Sequence, residues 1–317
     1  MSNGRGGGHF AKPPLSSTEL VDVMVGRGLV VDDRRQAART LFHIGYYRLA
    51  PYIDHFDLPG QRHCVTPGTT FDDVLRLYKF DRDLRMLITE ALARIEVAYR
   101  SALSEVMSKI EGDAHWYTKP HYFAEEGDFR VLQGNVAAAL AQPFPALDDY
   151  LRRYRTPELP PSWLMVEVLS LGQLTRVYRS LRHPSHRRAV AASLGLADDV
   201  LESWLESFVR VRNICAHHER LWDVSLTHYP GVPHQASVPW PRRWGRLLEE
   251  SSRTLYCVVS AMQSMLVTVA PTSPWAFDLA ALLDGRSEQL EVMGFPADWA
   301  EDPFWADAIA SGRPESF

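Results

Sequence analysis

Between Phe71 and Lys109 the apolar residues Val74, Leu77, Tyr78, Leu84, Leu87, Ile88, Leu92, Ile95, Ala98 and Leu103 return every three or four positions. Asp72, Asp73, Arg76, Arg82 and Arg85 fill much of the opposite face. That rhythm is the 3.6-residue period of an amphipathic helix. At the usual rise per residue the element is roughly 60 Å long, and a kink or break is expected within it. A stripe of this length has to be buried against other helices, and no segment of the chain alternates with the two-residue period of a strand. An all-α protein with helix-bundle packing is therefore expected.

The other segments fit that frame. Ser16-Ser17-Thr18-Glu19 offers a helix cap. Asp32 to Tyr52 is amphipathic, with Pro51 placed to end or bend it. Residues 57–70 read as a loop, and Gly112 opens an irregular aromatic stretch. Helical segments are expected over Phe129–Ala141, Ala146–Arg155, Trp163–Leu181, Ser185–Leu194, Asp198–His217 and Trp244–Val269. Prolines 143, 145, 157, 160 and 161 divide them, and a further proline cluster follows His217. Four parts are expected: a flexible arm (1–14), an N-terminal helical segment (15–60), a helical domain (61–270) and an acidic aromatic tail (271–317).

Composition narrows the function. The chain of 317 residues has 34 Lys+Arg against 39 Asp+Glu, a net charge of -5, which excludes a uniformly basic nucleic-acid binder but not a local basic site. Only four of those basic residues are Lys; the Arg excess suits forked phosphate contacts and equally suits a GC-rich genome. Residues 276–317 carry nine acids and two Arg, and with Met293–Trp299 and Phe304-Trp305 the tail reads as a segment that docks. Cys64, Cys215 and Cys257 form no CxxC pair, so neither a disulfide framework nor a zinc ribbon is supported. The N-terminus has no apolar signal core, and the nearly apolar run Leu255–Ala270 is short for a membrane span. A cytoplasmic protein without membrane contact is expected.

The segment with most chemistry is Val209-Arg210-Val211-Arg212-Asn213-Ile214-Cys215-Ala216-His217-His218-Glu219-Arg220. Phe208, Val211, Ile214 and Cys215 set one helix face into the core, so Arg212, Asn213, His217 and His218 must leave it or be satisfied within it. Asn213 and His217 share a face. Arg212 and His217 diverge by about 140° and converge only if Arg212 bends along the surface or a second copy faces the first. Histidine can move protons near neutral pH, and arginine can hold a phosphate and its developing charge. RNA cleavage by such a pair needs no metal. The spacing alone is equally that of a helix end whose Arg and His are exposed or pair with Glu202, Glu206 or Glu219. Glu96 and Arg100, four apart, read as a surface salt bridge or as a pair that orients Arg212 or His217. His183 and His186 stand three apart without an acidic cluster, and no HExxH, phosphate-loop or GxSxG pattern occurs. No metal or other cofactor is expected.

Five segments in series, HIGYYRLAPY (43–52), FDDVLRLYKFDRDLRMLITEALARIEVAYRS (71–101), PSWLMVEVLSLGQLTRVYRSL (161–181), RNICAHHERLWD (212–223) and MGFPADW (293–299), resemble the Abi-like (abortive infection) proteins within the HEPN superfamily. The resemblance implies a HEPN helical bundle with added N-terminal helices and a docking tail. It implies an R-x4-H ribonuclease motif at Arg212, Asn213 and His217; the residue pattern itself adds His218, Glu96 and Arg100 as supporting candidates. It further implies two motifs brought together in a homodimer, metal-independent cleavage of RNA to 2′,3′-cyclic phosphate ends, and a toxin role in phage defence. An inhibitory RNA or an antitoxin is then a further expected partner. Some relatives bind RNA or protein without cutting, so a non-catalytic binding module is the alternative.

Overall fold

Helix α4, Phe71–Glu111, is the longest element of the computed structural model, which describes residues 13–242 and 253–312. Thr70 and Asp73 open it by capping each other: the Thr70 amide and hydroxyl donate to the Asp73 carboxylate at 2.8 and 2.6 Å, and the Asp73 amide donates to the Thr70 hydroxyl at 3.1 Å. The expected break is absent, and the helix is assigned without interruption over 41 residues. Nothing in the sequence between Phe71 and Glu111 is Gly or Pro. The pairs Glu90–Arg94, Glu96–Arg100 and Glu105–Lys109, each four apart, add support along the helix.

The chain divides into two compact units, Met1–Arg82 and Asp83–Phe317. In the first, α1 (Ser17–Gly26) packs on α2 (Arg34–Ile44), which is followed by α3 (Tyr46–Asp54). The expected single helix over Asp32–Tyr52 is thus two helices. Gly45 separates them at a φ of 87°, a conformation that glycine adopts without steric cost. Because α3 restarts there, Pro51 lies one turn inside it and the helix runs on to Asp54. The Tyr52 hydroxyl donates to the buried Asp81 carboxylate at 2.6 Å.

The second unit holds α5 (Glu126–Leu140), α6 (Pro145–Arg153), α7 (Ser162–Val168), α8 (Leu171–Ser180), α9 (Pro184–Ser193), α10 (Asp198–Ala216), α11 (Leu255–Val269), α12 (Trp275–Leu283), α13 (Ser287–Val292) and α14 (Pro303–Ser311). Among the described residues there is no sheet, only isolated bridges, so the fold is all-α. Helix α10 packs against α8, α9 and α11. Helix α11 is buried on all sides from Leu255 to Leu266, as expected of a central helix without a polar face. The expected start of that helix at Trp244, and the arm before residue 13, fall outside the described residues.

The expected helix Trp163–Leu181 is broken at Leu169-Ser170, because Ser170 and Gln173 form a capping box. The Gln173 amide donates to the Ser170 hydroxyl at 3.3 Å and the Ser170 amide to the Gln173 side chain at 2.8 Å. Ser170→Ala is expected to cost about 1 kcal/mol, read as a lower urea midpoint at unchanged slope.

The tail packs into the same unit. Met293, Phe295, Trp299 and Trp305 are buried, and the Tyr256 ring of α11 lies 4.8 Å from Phe295 and 6.3 Å from Trp305. In MGFPADW, Gly294 has a φ of 77°, and any Cβ there would overlap Thr254. The motif is a close-packing device.

Candidate functional site

The sequence sets α10 on the core through Val200, Leu201, Trp204, Leu205, Phe208, Val211, Ile214 and Cys215, all buried. Trp204 and Phe208 lie in the core of their own unit: both are wholly buried, and the Trp204 indole donates to the Gly231 carbonyl at 2.8 Å. At the C-terminal end of this helix Arg210, Arg212, Ala216 and His217 are exposed, with Asn213 half-buried beside them.

The acids of the outer face have partners of their own. Arg179 of α8 pairs with Glu202 at 3.1 Å and with Glu206, and Glu219 faces Arg210 at 3.9 Å. None of them pairs with Arg212 or His217. Among the described residues neither the Arg212 guanidinium nor the His217 imidazole has a hydrogen bond or ion pair, so both stand open to a ligand at the end of one helix. Glu202, Glu206 and Val209 line a polar cleft of about 670 Å³ with Arg176, Arg179 and His228. Asn213 continues that line, seven residues beyond Glu206 and within about 20° of it round the helix.

The helix ends in a way that sets His217. His217 is the cap residue, at φ -89° and ψ 3°. The His218 amide then donates to the Cys215 carbonyl at 3.1 Å and the Glu219 amide to the Ile214 carbonyl at 2.9 Å. This pair of bonds is a Schellman motif, whose next residue is left-handed and usually glycine. Here it is His218, at a φ of 56°. A histidine held there is strained, and strain of this kind collects at functional positions. His218→Gly is expected to stabilise the fold by about 1 kcal/mol, measured as a higher urea midpoint. Leu221 and Trp222, both buried, anchor the chain beyond the turn.

Glu96 and Arg100 do not join this group. They pair with each other, their side chains are 17% and 12% exposed, and Arg100 also donates to the Val166 carbonyl of α7. They tie α4 to α7. Arg85, read from the sequence as part of the polar face of α4, is instead 5% exposed and reaches the turn: its guanidinium donates to the Glu219 carbonyl at 3.0 Å. A signal existed. Arg85 precedes Leu92 by seven residues, which places it within about 20° of the apolar stripe of α4.

Histidines elsewhere are engaged differently. His186 is buried on α9 with its Nε2 2.8 Å from Glu111, and burial lowers its pKa. The one group of described residues close enough to hold a metal ion is Asp54, Asp57 and His63, in the first unit; Asp54 there already faces Arg27 at 3.5 Å. No helix among the described residues is long and apolar enough to cross a membrane.

Comparison with known proteins finds no match among curated proteins and none among solved structures. The family described as Abi-like protein matches residues 39–223, more than half of the chain and a span that includes α10 and its terminal turn. The chain belongs to the Abi-like protein family.

Proposed function

We propose that this protein is a metal-independent endoribonuclease of the HEPN type, a cytoplasmic toxin acting in abortive infection, with Arg212, Asn213 and His217 as its active residues. The observation that carries the reading is the open pair at the end of α10: Arg212 and His217 stay exposed and unengaged while Glu202, Glu206, Arg210 and Glu219 around them are paired. Family membership supports the abortive-infection role.

In this reading the 2′-oxygen of RNA attacks the neighbouring phosphorus, and the bond from phosphorus to the 5′-oxygen breaks. One His217 takes the 2′-hydroxyl proton and a second delivers a proton to the departing 5′-oxygen. Arg212 holds the phosphate and its added charge. Asn213, on the face of His217, orients the imidazole or the phosphate. The two proton transfers occur on opposite sides of the phosphate, and each chain supplies one His217. A two-fold dimer with the ends of both α10 helices in one cleft meets that need, and isologous dimers are the commonest oligomers. An inhibitory RNA or antitoxin would silence the protein by covering this cleft.

The test separates cutting from binding. End-labelled RNA is incubated with wild type and with Arg212→Ala, and each sample is resolved on native and denaturing gels. The proposal predicts shortened RNA with wild type alone. A shift on the native gel that Arg212→Ala weakens, with RNA of full length throughout, would support a binding module instead.

A further inference from the structure

We propose that Arg85 is a positioning residue for this site, clamping from α4 the turn that presents His217. The inference rests on the reading of His217 as the proton-transfer group.

A guanidinium that is 5% exposed must find hydrogen-bond acceptors or its burial is strongly unfavourable. One acceptor is the main-chain carbonyl of Glu219, at 3.0 Å. Glu219 is the residue whose amide closes the outer bond of the Schellman motif, to Ile214 at 2.9 Å. The same peptide segment is therefore held from both sides, by α10 through its amide and by Arg85 through its carbonyl. Carbonyl groups at a helix C-terminus carry partial negative charge, so a buried cation suits the place.

The turn needs such a hold. His218 sits at a φ of 56°, where an L-residue with a side chain is disfavoured, and by itself it favours unwinding of the end. His217, as the cap residue, lies at the helix boundary, so the turn after it decides where its imidazole points. Loss of the clamp lets residues 217–219 fray, and a misplaced catalytic group is expected to lower the rate of the chemical step more than substrate binding.

The experiment compares wild type, Arg85→Ala and Arg85→Lys in the full chain. Amide hydrogen exchange is followed at His218 and Glu219, with the amides of Val259 to Leu266 in α11 as the internal reference. In Arg85→Ala, exchange at His218 and Glu219 is expected to rise about tenfold with the α11 amides unchanged. RNA cleavage is expected to show kcat reduced about tenfold and KM changed less than about twofold. Arg85→Lys, which keeps the charge and the stem, is expected to fall between the two, and it serves alone if Arg85→Ala does not fold. Exchange at His218 and Glu219 that matches wild type in a folded Arg85 variant would overturn the proposal, whatever the activity. Local exchange that rises in a protein whose wild type cuts no RNA would leave the clamp standing and remove the ribonuclease reading.

Discussion

His217→Ala is expected to lower the single-turnover rate of RNA cleavage by about 10²- to 10⁴-fold, the usual contribution of a positioned acid or base. Arg212→Ala is expected to lower it by about 10²- to 10³-fold, through loss of charge on the phosphate. Both side chains are exposed and hold no described partner, so the fold should not register either change: urea midpoints should stay within about 0.5 kcal/mol of wild type. That separation is the point of the experiment. A residue that only stabilises α10 would move the midpoint with the activity, whereas the open pair moves the activity alone. If both variants cut at the wild-type rate, the assignment of these residues is wrong. The shared cleft adds a second arm. Chains carrying His217→Ala and chains carrying Arg212→Ala, mixed and allowed to exchange, form dimers that retain one of each group, and activity above that of either parent is expected.

The reverse pattern is expected at Trp204. Its side chain is wholly buried, stacks on Trp240 with ring centroids 5.7 Å apart, and donates to the Gly231 carbonyl at 2.8 Å. Trp204→Ala leaves a cavity and an unpaired carbonyl, and should destabilise the protein by about 3–5 kcal/mol. Gly231 is tied a second time, its amide donating to the Ser203 hydroxyl at 2.7 Å, so the segment after α10 is held at neighbouring residues of that helix. Trp204→Phe keeps most of the ring and loses the N–H, at an expected cost of about 1–3 kcal/mol. Urea unfolding of the three proteins orders them directly. A Trp204→Ala chain as stable as wild type would mean that α10 is not held by this core, and the placement of the motif would lose its support.

The helices were legible where one apolar stripe runs without glycine or proline, as in α4 and α10. They were misread where a local device outweighs the stripe. Gly45 and the Ser170–Gln173 box each start a new helix inside an apolar pattern that reads as continuous, because the period records only which face is buried. Of the kink or break expected in α4, the break is absent: the helix is assigned without interruption, and no Gly or Pro between Phe71 and Glu111 supplies a cause for one.

At the site, the residue types were legible and the partners were not. The spacing of Arg212, Asn213 and His217 puts them at the end of a helix, and the structure leaves Arg212 and His217 exposed there. Sequence alone could not say that Glu202 and Glu206 are taken by Arg179, since that pairing depends on how α8 crosses α10. Nor could it pair Arg85 with Glu219, 134 positions away, although the register of Arg85 with Leu92 signalled its burial. The left-handed His218 was hidden as well: a Schellman turn is usually announced by glycine, and here the announcing residue is a histidine.

The most direct measurement is the chemistry of the RNA ends left by the full-length protein with excess EDTA present. The account predicts cleavage under chelation, 2′,3′-cyclic phosphate and 5′-hydroxyl ends on the fragments, and no such ends with His217→Ala. Cleavage that requires added Mg²⁺, or ends carrying a 5′-phosphate and a 3′-hydroxyl, would contradict it.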